Sequence, residues 1–503
     1  MGKILETIIN KFDGGMARDP RDKREDVCNI IQHFDNYSYP SKLLPHRDFE
    51  VDGSPESIFD GYRITQFTEV NNVLYGVGQV SAADNHTQLY KRSDPTALNW
   101  SSVTGGTHAS SVESKVFLLG YKNYLYGVNS GGVWKFNISG ASFTYNDYTT
   151  NVPTAPGLVF SKDDIMYIPS NNLLLKNTDI AGTGWSVALT FPTNSQIVDL
   201  CEYGNYLAIA VNQTDGKSIV YLWDRDSSLT TLSEKIEWGN MSIALIENIG
   251  GILVGISKSS LSITSASPYK LTFKYWTGTR IVTFQEFDCT SFPTVLEKQK
   301  FNDLFYFLGV ARTKNTSGGT AGVTSILAGL WKIFKKSDGT MTVSFDRFFR
   351  GDTQVAPSDD NHLKGFYRWG DIVYAAYINP ADSKYTIWRS SASHGDTSIY
   401  ESQIFNTGDS SITKKLLGVT IMTEPLAETS SVTLKYRINA ETSWTTIFTE
   451  GTDNSISHSA VNIESSGATL PEYKEIQFRI ESDLGAVITG LKFKEEIIDK
   501  DKY

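Results

Sequence analysis

The sequence predicts an all-β chain: a β-propeller of about seven blades, preceded by an N-terminal extended and helical arm and followed by a C-terminal β-sandwich. Three observations predict it. A turn-plus-strand pattern recurs seven times between positions 62 and 412. Each recurrence is followed by a second β run, at a period of roughly 40–50 residues that is typical of propeller blades. Beyond Thr413 the pattern gives way to plain period-two alternation. The implied boundaries are 1–61 for the arm, 62–412 for the propeller, 413–497 for the sandwich and 498–503 for a charged tail.

Residues 1–61 do not share the repeat. Ile4, Leu5, Ile8, Ile9 and Phe12 recur at helical spacing, which predicts a short amphipathic helix ending at Asp13-Gly14-Gly15. The segment Arg18–Asp26 alternates in charge sign. It reads either as a solvated arm with local ion pairs or as an arm inserted into a neighbouring subunit. Tyr39–Arg47 carries two prolines and reads as extended, irregular chain.

The repeat is a turn residue, an apolar run with a central aromatic or aliphatic residue, then small residues. It occupies Asn71–Gly78, Lys122–Val128, Asp163–Ile168, Gly204–Val211, Gly250–Ile256, Asn302–Gly309 and Gly370–Tyr377. Partner runs follow after variable turns, as in Val133-Trp134-Lys135-Phe136 and Val220-Tyr221-Leu222-Trp223. Gly and Ala within the repeat are expected to let inner strands of neighbouring blades approach closely. The sixth and seventh units are lengthened by polar stretches at 312–324 and 350–361, each either an interaction loop or a tolerated insertion.

After position 413 the alternating runs Leu417–Ile421, Val432–Arg437, Trp444–Phe448, Glu475–Ile480 and Ile488–Lys494 predict an antiparallel sandwich.

Composition bounds the function. Aromatic residues make up 12% of the 503 residues and charged residues 20%, the balance of a folded chain. The net charge of −10 comes without a basic stripe, which argues against broad duplex binding. Cys28, Cys201 and Cys289 are far apart and lack metal-ligand spacing, so three reduced buried thiols are expected. The first twelve residues lack the apolar core of a signal peptide, and no run reaches the length of a membrane span. No phosphate-binding, zinc-protease or nucleophile-elbow motif is present, and the seven histidines are scattered. Lys91-Arg92-Ser93-Asp94 with Trp100, and Asn177-Thr178-Asp179 with Trp185, depart from the spacing of a sialidase Asp-box. No catalytic, cofactor or metal residues are therefore assigned.

The opening Asn10-Lys11-Phe12-Asp13-Gly14-Gly15-Met16 resembles the Phe-x-Gly-Gly start of tailed-bacteriophage virion proteins. The closing module, with Thr433–Arg437, Trp444 and Tyr473–Ile480, is similar to sandwiches appended to phage tail propellers. Taken together the chain looks like the nozzle (tail tubular B) proteins of short-tailed phages, although it is small for one. The resemblance implies a non-enzymatic structural virion protein, made in the host bacterial cytoplasm. It would form a symmetric ring of copies of itself, bound to neighbouring tail or adaptor proteins, with genomic DNA passing through the ring. On that reading Phe12, Gly14, Gly15, Arg18, Arg21 and Arg24 would dock the arm into the adjoining ring. A propeller that binds a host glycan or receptor is the alternative, and a sialidase-like glycosidase a more distant one.

Overall fold

The computed structural model describes the chain except for residues 1–2, 17–27, 53–65, 82–83, 95–99, 112–116, 130–131, 149, 180–183, 227–231, 233, 260–268, 290–291, 316–322, 337, 349–362, 379–384, 392, 395–396, 407–411, 440, 452–453, 462–469 and 499–503. Among the described residues every helix-or-strand element is a β-strand. The expected N-terminal helix is absent: Ile4–Ile9 is a strand, paired antiparallel with Ile488–Ile498. Its isoleucines fit both periods. Pairing with a distant strand decides between them, leaving Ile4 and Ile8 exposed and Ile9 buried.

The chain forms two compact units, Phe49–Ala311 with Phe349–Ser390, and Met1–Asp48 with Arg312–Phe348 and Ser391–Tyr503. The first is the β-propeller. Four-stranded antiparallel meanders begin at Gln66, Leu118, Leu158, Ser195 and Ser242, and each is ordered sequentially from its first strand outward. The sixth repeat contributes Thr294–Phe301 and Leu304–Asn315, which pair with each other. The seventh is built from Leu363–Trp369, Ile372–Ile378 and Tyr385–Ser390, and its fourth strand is Phe49–Val51 from the leader.

Each sequence repeat is the tight turn and second strand of one meander. Asn71, Lys122, Asp164, Gly204, Gly250, Asn302 and Gly370 sit in those turns with φ between +51° and +61°. Asn, Asp and Gly tolerate this left-handed region best, which is why they punctuate the repeat. The small residues inside the repeat have a different role from the one expected. A Cβ on Gly127 would stand 1.9 Å from Trp134, and one on Gly255 would stand 2.5 Å from Trp238. Glycine here makes room for a buried tryptophan ring rather than for another backbone.

The leader closes the propeller. The Asp52 amide donates to Ile387 O (2.9 Å). The fully buried Asp52 carboxylate pairs with Arg92 Nη1 of the first blade and accepts from Trp100 Nε1 (2.5 Å). Arg389 of the last blade binds Glu50 (2.7 Å) and approaches Asp52 (3.6 Å). One short segment thus ties blade seven to blade one.

The second unit contains the sandwich. One sheet runs Ile4–Ile9, Ile488–Ile498, Thr413–Thr423, Ser457–Val461, and the other runs Ile30–Gln32, Ser398–Phe405, Ile476–Asp483, Ser431–Ile438, Thr445–Gly451. Phe478 and Phe493 join the two sheets with ring centroids 4.9 Å apart. The strands expected beyond Thr413 are all present. They share their sheets with leader strands and with Ser398–Phe405, so the boundaries differ from the expected ones at 61 and 412. Residues 49–52 belong with the propeller, and the hairpin Val323–Lys335 with Met341–Phe348 belongs with the sandwich unit.

Candidate functional site

The first four blades and the seventh are separate sheets, the fifth and sixth share one, and the facing edges of neighbouring first strands lack ladder partners. A buried backbone N–H left unpaired is costly, and these strands solve the problem with side chains. Gln66 Oε1 accepts from Leu118 N (2.5 Å), Thr68 Oγ1 from Gly120 N (3.1 Å) and Asp199 Oδ2 from Ile246 N (2.7 Å). Glu297 Oε2 accepts from Phe366 N (3.1 Å) and Gln299 Oε1 from Arg368 N (2.6 Å), while Gln299 Nε2 donates to Arg368 O (3.0 Å). Each lock joins the first strand of one blade to that of the next. Together they tighten the ring of strands around the propeller's centre.

At that centre is a cavity of about 200 Å³. Phe67, Phe117, Tyr126, Phe366 and Glu297 are among the residues that line it. A second cavity of about 480 Å³ adjoins it, sharing Pro156, Gly157, Asp199 and Lys298 and adding Glu202, Glu247 and Lys300.

Lys298 stands where the two cavities meet. Its ammonium donates to Asp199 Oδ2 (2.8 Å), Leu200 O (2.8 Å) and Ile246 O (2.7 Å), with Glu247 at 3.5 Å. Three donors thus meet three acceptors. Burial would lower the Lys298 pKa, but Asp199 and Glu247 outweigh it and hold the ammonium charged above its ordinary range. Glu297 has no such cation. Burial pushes its carboxyl up to about 8, opposed only by the Phe366 amide. At neutral pH it is protonated and resembles the glutamines beside it.

The second unit holds another buried cluster. Asp346 binds Lys332 (2.7 Å) and His46 Nε2 (3.0 Å), with Arg347 at 3.5 Å. Arg347 Nη2 donates to His46 Nδ1 (3.1 Å), which assigns His46 as a neutral ring with its proton on Nε2 toward Asp346. Burial lowers the His46 pKa, and the Arg347 charge lowers it further. Burial alone would raise Asp346, yet His46 donating to it and the Lys332 and Arg347 charges beside it hold it well below the carboxylate range. His33 lies against His46, 5.9 Å between centroids, and burial drives its pKa well below normal. This cluster fastens the leader to the hairpin that ends at Phe348.

The docking residues expected from the sequence fall into two sets. Phe12 is buried edge-on against Tyr400, centroids 5.4 Å apart. Gly14 O accepts from Thr342 Oγ1 (2.6 Å). Gly15 has φ +70°, and a Cβ there would meet Thr342 and Val343 at 2.3 and 2.4 Å. All three contact their own chain, and at Gly15 there is no room for a side chain. Arg18, Arg21 and Arg24 lie outside the described residues, as do most of the stretch 312–324 and all of 350–361.

Among the described residues no group of three or more His, Cys, Asp or Glu could hold a metal ion. The three cysteines are buried thiols, none in a disulfide. Asp199, Glu297 and Lys298 escaped the sequence reading because none of them belongs to a recognisable motif. The one available signal was Glu297-Lys298 inside the otherwise alternating run Thr294–Phe301, just before a repeat.

No family model and no curated protein sequence matches the chain. Solved structures do. "Structure of YjhT" aligns with 58% of this chain and 99% of that one, at 12% identity and a TM-score of 0.38. "Crystal structure of Chaetomium thermophilum Raptor" aligns with 69% of this chain and 29% of that one, at 11% identity and a TM-score of 0.41. "Crystal Structure of Mitotic Checkpoint Complex" aligns with 69% of this chain and 95% of that one, at 11% identity and a TM-score of 0.39.

Proposed function

We propose that the protein is a non-catalytic structural component of a tailed-phage virion, a subunit of a ring in the tail. The observation that carries the structural part is the set of locks around the propeller's centre. Gln66, Thr68, Asp199 and Gln299, polar groups that line that centre, are committed to backbone groups of the next blade. Such an arrangement makes a rigid body. The leader adds to that rigidity, because Asp52 closes the propeller.

The assignment to a phage tail rests on the resemblance of the leader motif and the closing module. A ring of rigid wedges would use head-to-tail interfaces. The genome would then run through the centre of the ring, between subunits. The propeller's own cavity is below the roughly 300–1,000 Å³ of sites for drug-sized molecules and far too small for a duplex. Docking onto adjoining tail proteins falls to surfaces other than Phe12, Gly14 and Gly15.

The test is light scattering coupled to size exclusion, with electron microscopy of the particles, on the full chain. A closed ring whose population grows with concentration is the expected result. A chain that remains monomeric up to its solubility limit overturns the ring.

A further inference from the structure

We infer that the cavity at the centre of the propeller is a binding site for a small organic ammonium ion, held by the Glu297 carboxylate against aromatic walls. This stands apart from the structural role proposed above.

The argument begins with what each group around the cavity has left to offer. Lys298 has its three donors occupied by Asp199, Leu200 O and Ile246 O. Gln66 and Gln299 hold neighbouring strands. Glu297 differs from them. Among the described residues the Phe366 amide is its one hydrogen-bond donor, and it reaches only Oε2. A carboxylate can accept about four hydrogen bonds, so Oε1 is left for a ligand.

The surroundings choose the ligand's chemistry. Asp199, Glu202 and Glu247 outnumber Lys298 and Lys300 around the adjoining cavity, so the approach is negative and favours cations. An anion would meet the Asp199 carboxylate. A hard metal ion wants about six oxygen ligands, and the inner cavity offers one uncommitted carboxylate. A sugar wants many free donors and acceptors, and those present are taken. An organic ammonium needs one anion and apolar or aromatic contact, and Phe67, Phe117, Tyr126 and Phe366 line this space. At about 200 Å³ the cavity suits a ligand of choline size or smaller.

Binding is linked to a proton. With its carboxyl pushed up to about 8, the free site is protonated at pH 7. The arriving cation replaces that proton: the Glu297 O–H bond breaks, the electron pair stays on the carboxylate, and the proton leaves to solvent. Affinity therefore rises with pH up to about 8.

The experiment is isothermal titration calorimetry on the full chain at pH 7, with choline and with its neutral isostere bearing a tert-butyl group in place of trimethylammonium. Repeating the choline titration in buffers of different ionisation enthalpy counts the protons. Glu297→Gln is the control variant. Its amide oxygen can take the Phe366 N–H as Gln299 takes that of Arg368, so the fold is kept, and a thermal melt verifies it. The expected results are release of nearly one proton per choline and at least tenfold weaker binding of both the isostere and the variant's choline. Equal binding of choline and the isostere overturns the inference. So does an unchanged affinity in the variant, or the absence of binding heat for choline, tetramethylammonium and methylammonium alike.

Discussion

The propeller and the sandwich unit both bury charge, but they arrange it differently. At the joint between the fourth and fifth blades of the propeller, backbone groups share in neutralising a buried ion. Lys298 is held by one carboxylate and two carbonyls as well as by the distant Glu247. In the sandwich unit, side chains from three separate stretches meet around one anion. Asp346 lies among Lys332, Arg347 and His46, and Lys332 also approaches Asp35 (3.5 Å). Where blades repeat, a buried charge can be neutralised locally with the backbone already there. A unit assembled from distant segments relies on charge to bring them together.

The largest expected effect tests this contrast directly. Asp346→Ala removes the anion at the centre of the network, and breaking a buried pair costs about 3–5 kcal/mol. Asp199→Ala leaves Lys298 with two carbonyls and Glu247, so a loss of about 1–3 kcal/mol is expected. Urea unfolding followed by hydrogen exchange, read separately in the two units, measures both. Equal losses would remove the distinction. A larger loss for Asp199→Ala would reverse it.

How much of this was legible depends on whether a feature is local. The seven repeats gave the propeller correctly because a left-handed turn at Asn71 or Gly204 and the strand after it are written in consecutive residues. The strands of the sandwich beyond Thr413 were legible for the same reason. The strand Ile4–Ile9 was misread as helix because its partner, Ile488–Ile498, is at the other end of the chain. The strand Phe49–Val51 was read as leader because its place in the seventh blade depends on Tyr385–Ser390. The site was hidden likewise. Asp199 and Lys298 are 99 positions apart, and nothing near either one marks it.

The second effect is one of sign. Glu297 holds its proton up to about pH 8 in the folded chain, against about 4.5 when unfolded. Between those values the unfolded chain binds fewer protons, so this group's contribution falls as pH rises, by at most about 1.4 kcal/mol per unit. His46 is shifted the other way. Its folded pKa lies below 6.5, so its contribution is full above 6.5 and is lost as pH falls from there through the lowered value. Chemical denaturation across pH should therefore show Glu297→Gln flattening the fall between about pH 4.5 and 8 for the propeller. His46→Gln should flatten the acid side for the sandwich unit. A variant that leaves its own slope unchanged while the fold is intact would show that other groups set the pH dependence of that unit.

The smallest effect is expected where charge is paired in water. Glu6, on the edge strand Ile4–Ile9, binds Lys492 (2.8 Å) and Lys494 (3.2 Å) across the ladder to Ile488–Ile498. Hydrogen bonds from Lys492 and then Lys494 lower its pKa. All three side chains are open to solvent, where screening and side-chain entropy cancel most of the attraction. The strand is held instead by its backbone ladder and by Ile9, which is buried. Glu6→Gln is therefore expected to leave the melting temperature unchanged at physiological salt, with at most a small decrease at low salt. A clear fall at physiological salt would mean that the leader's first strand is held by charge, as Asp346 holds its later part. The sandwich unit would then rely on ion pairs on its surface as well as in its interior.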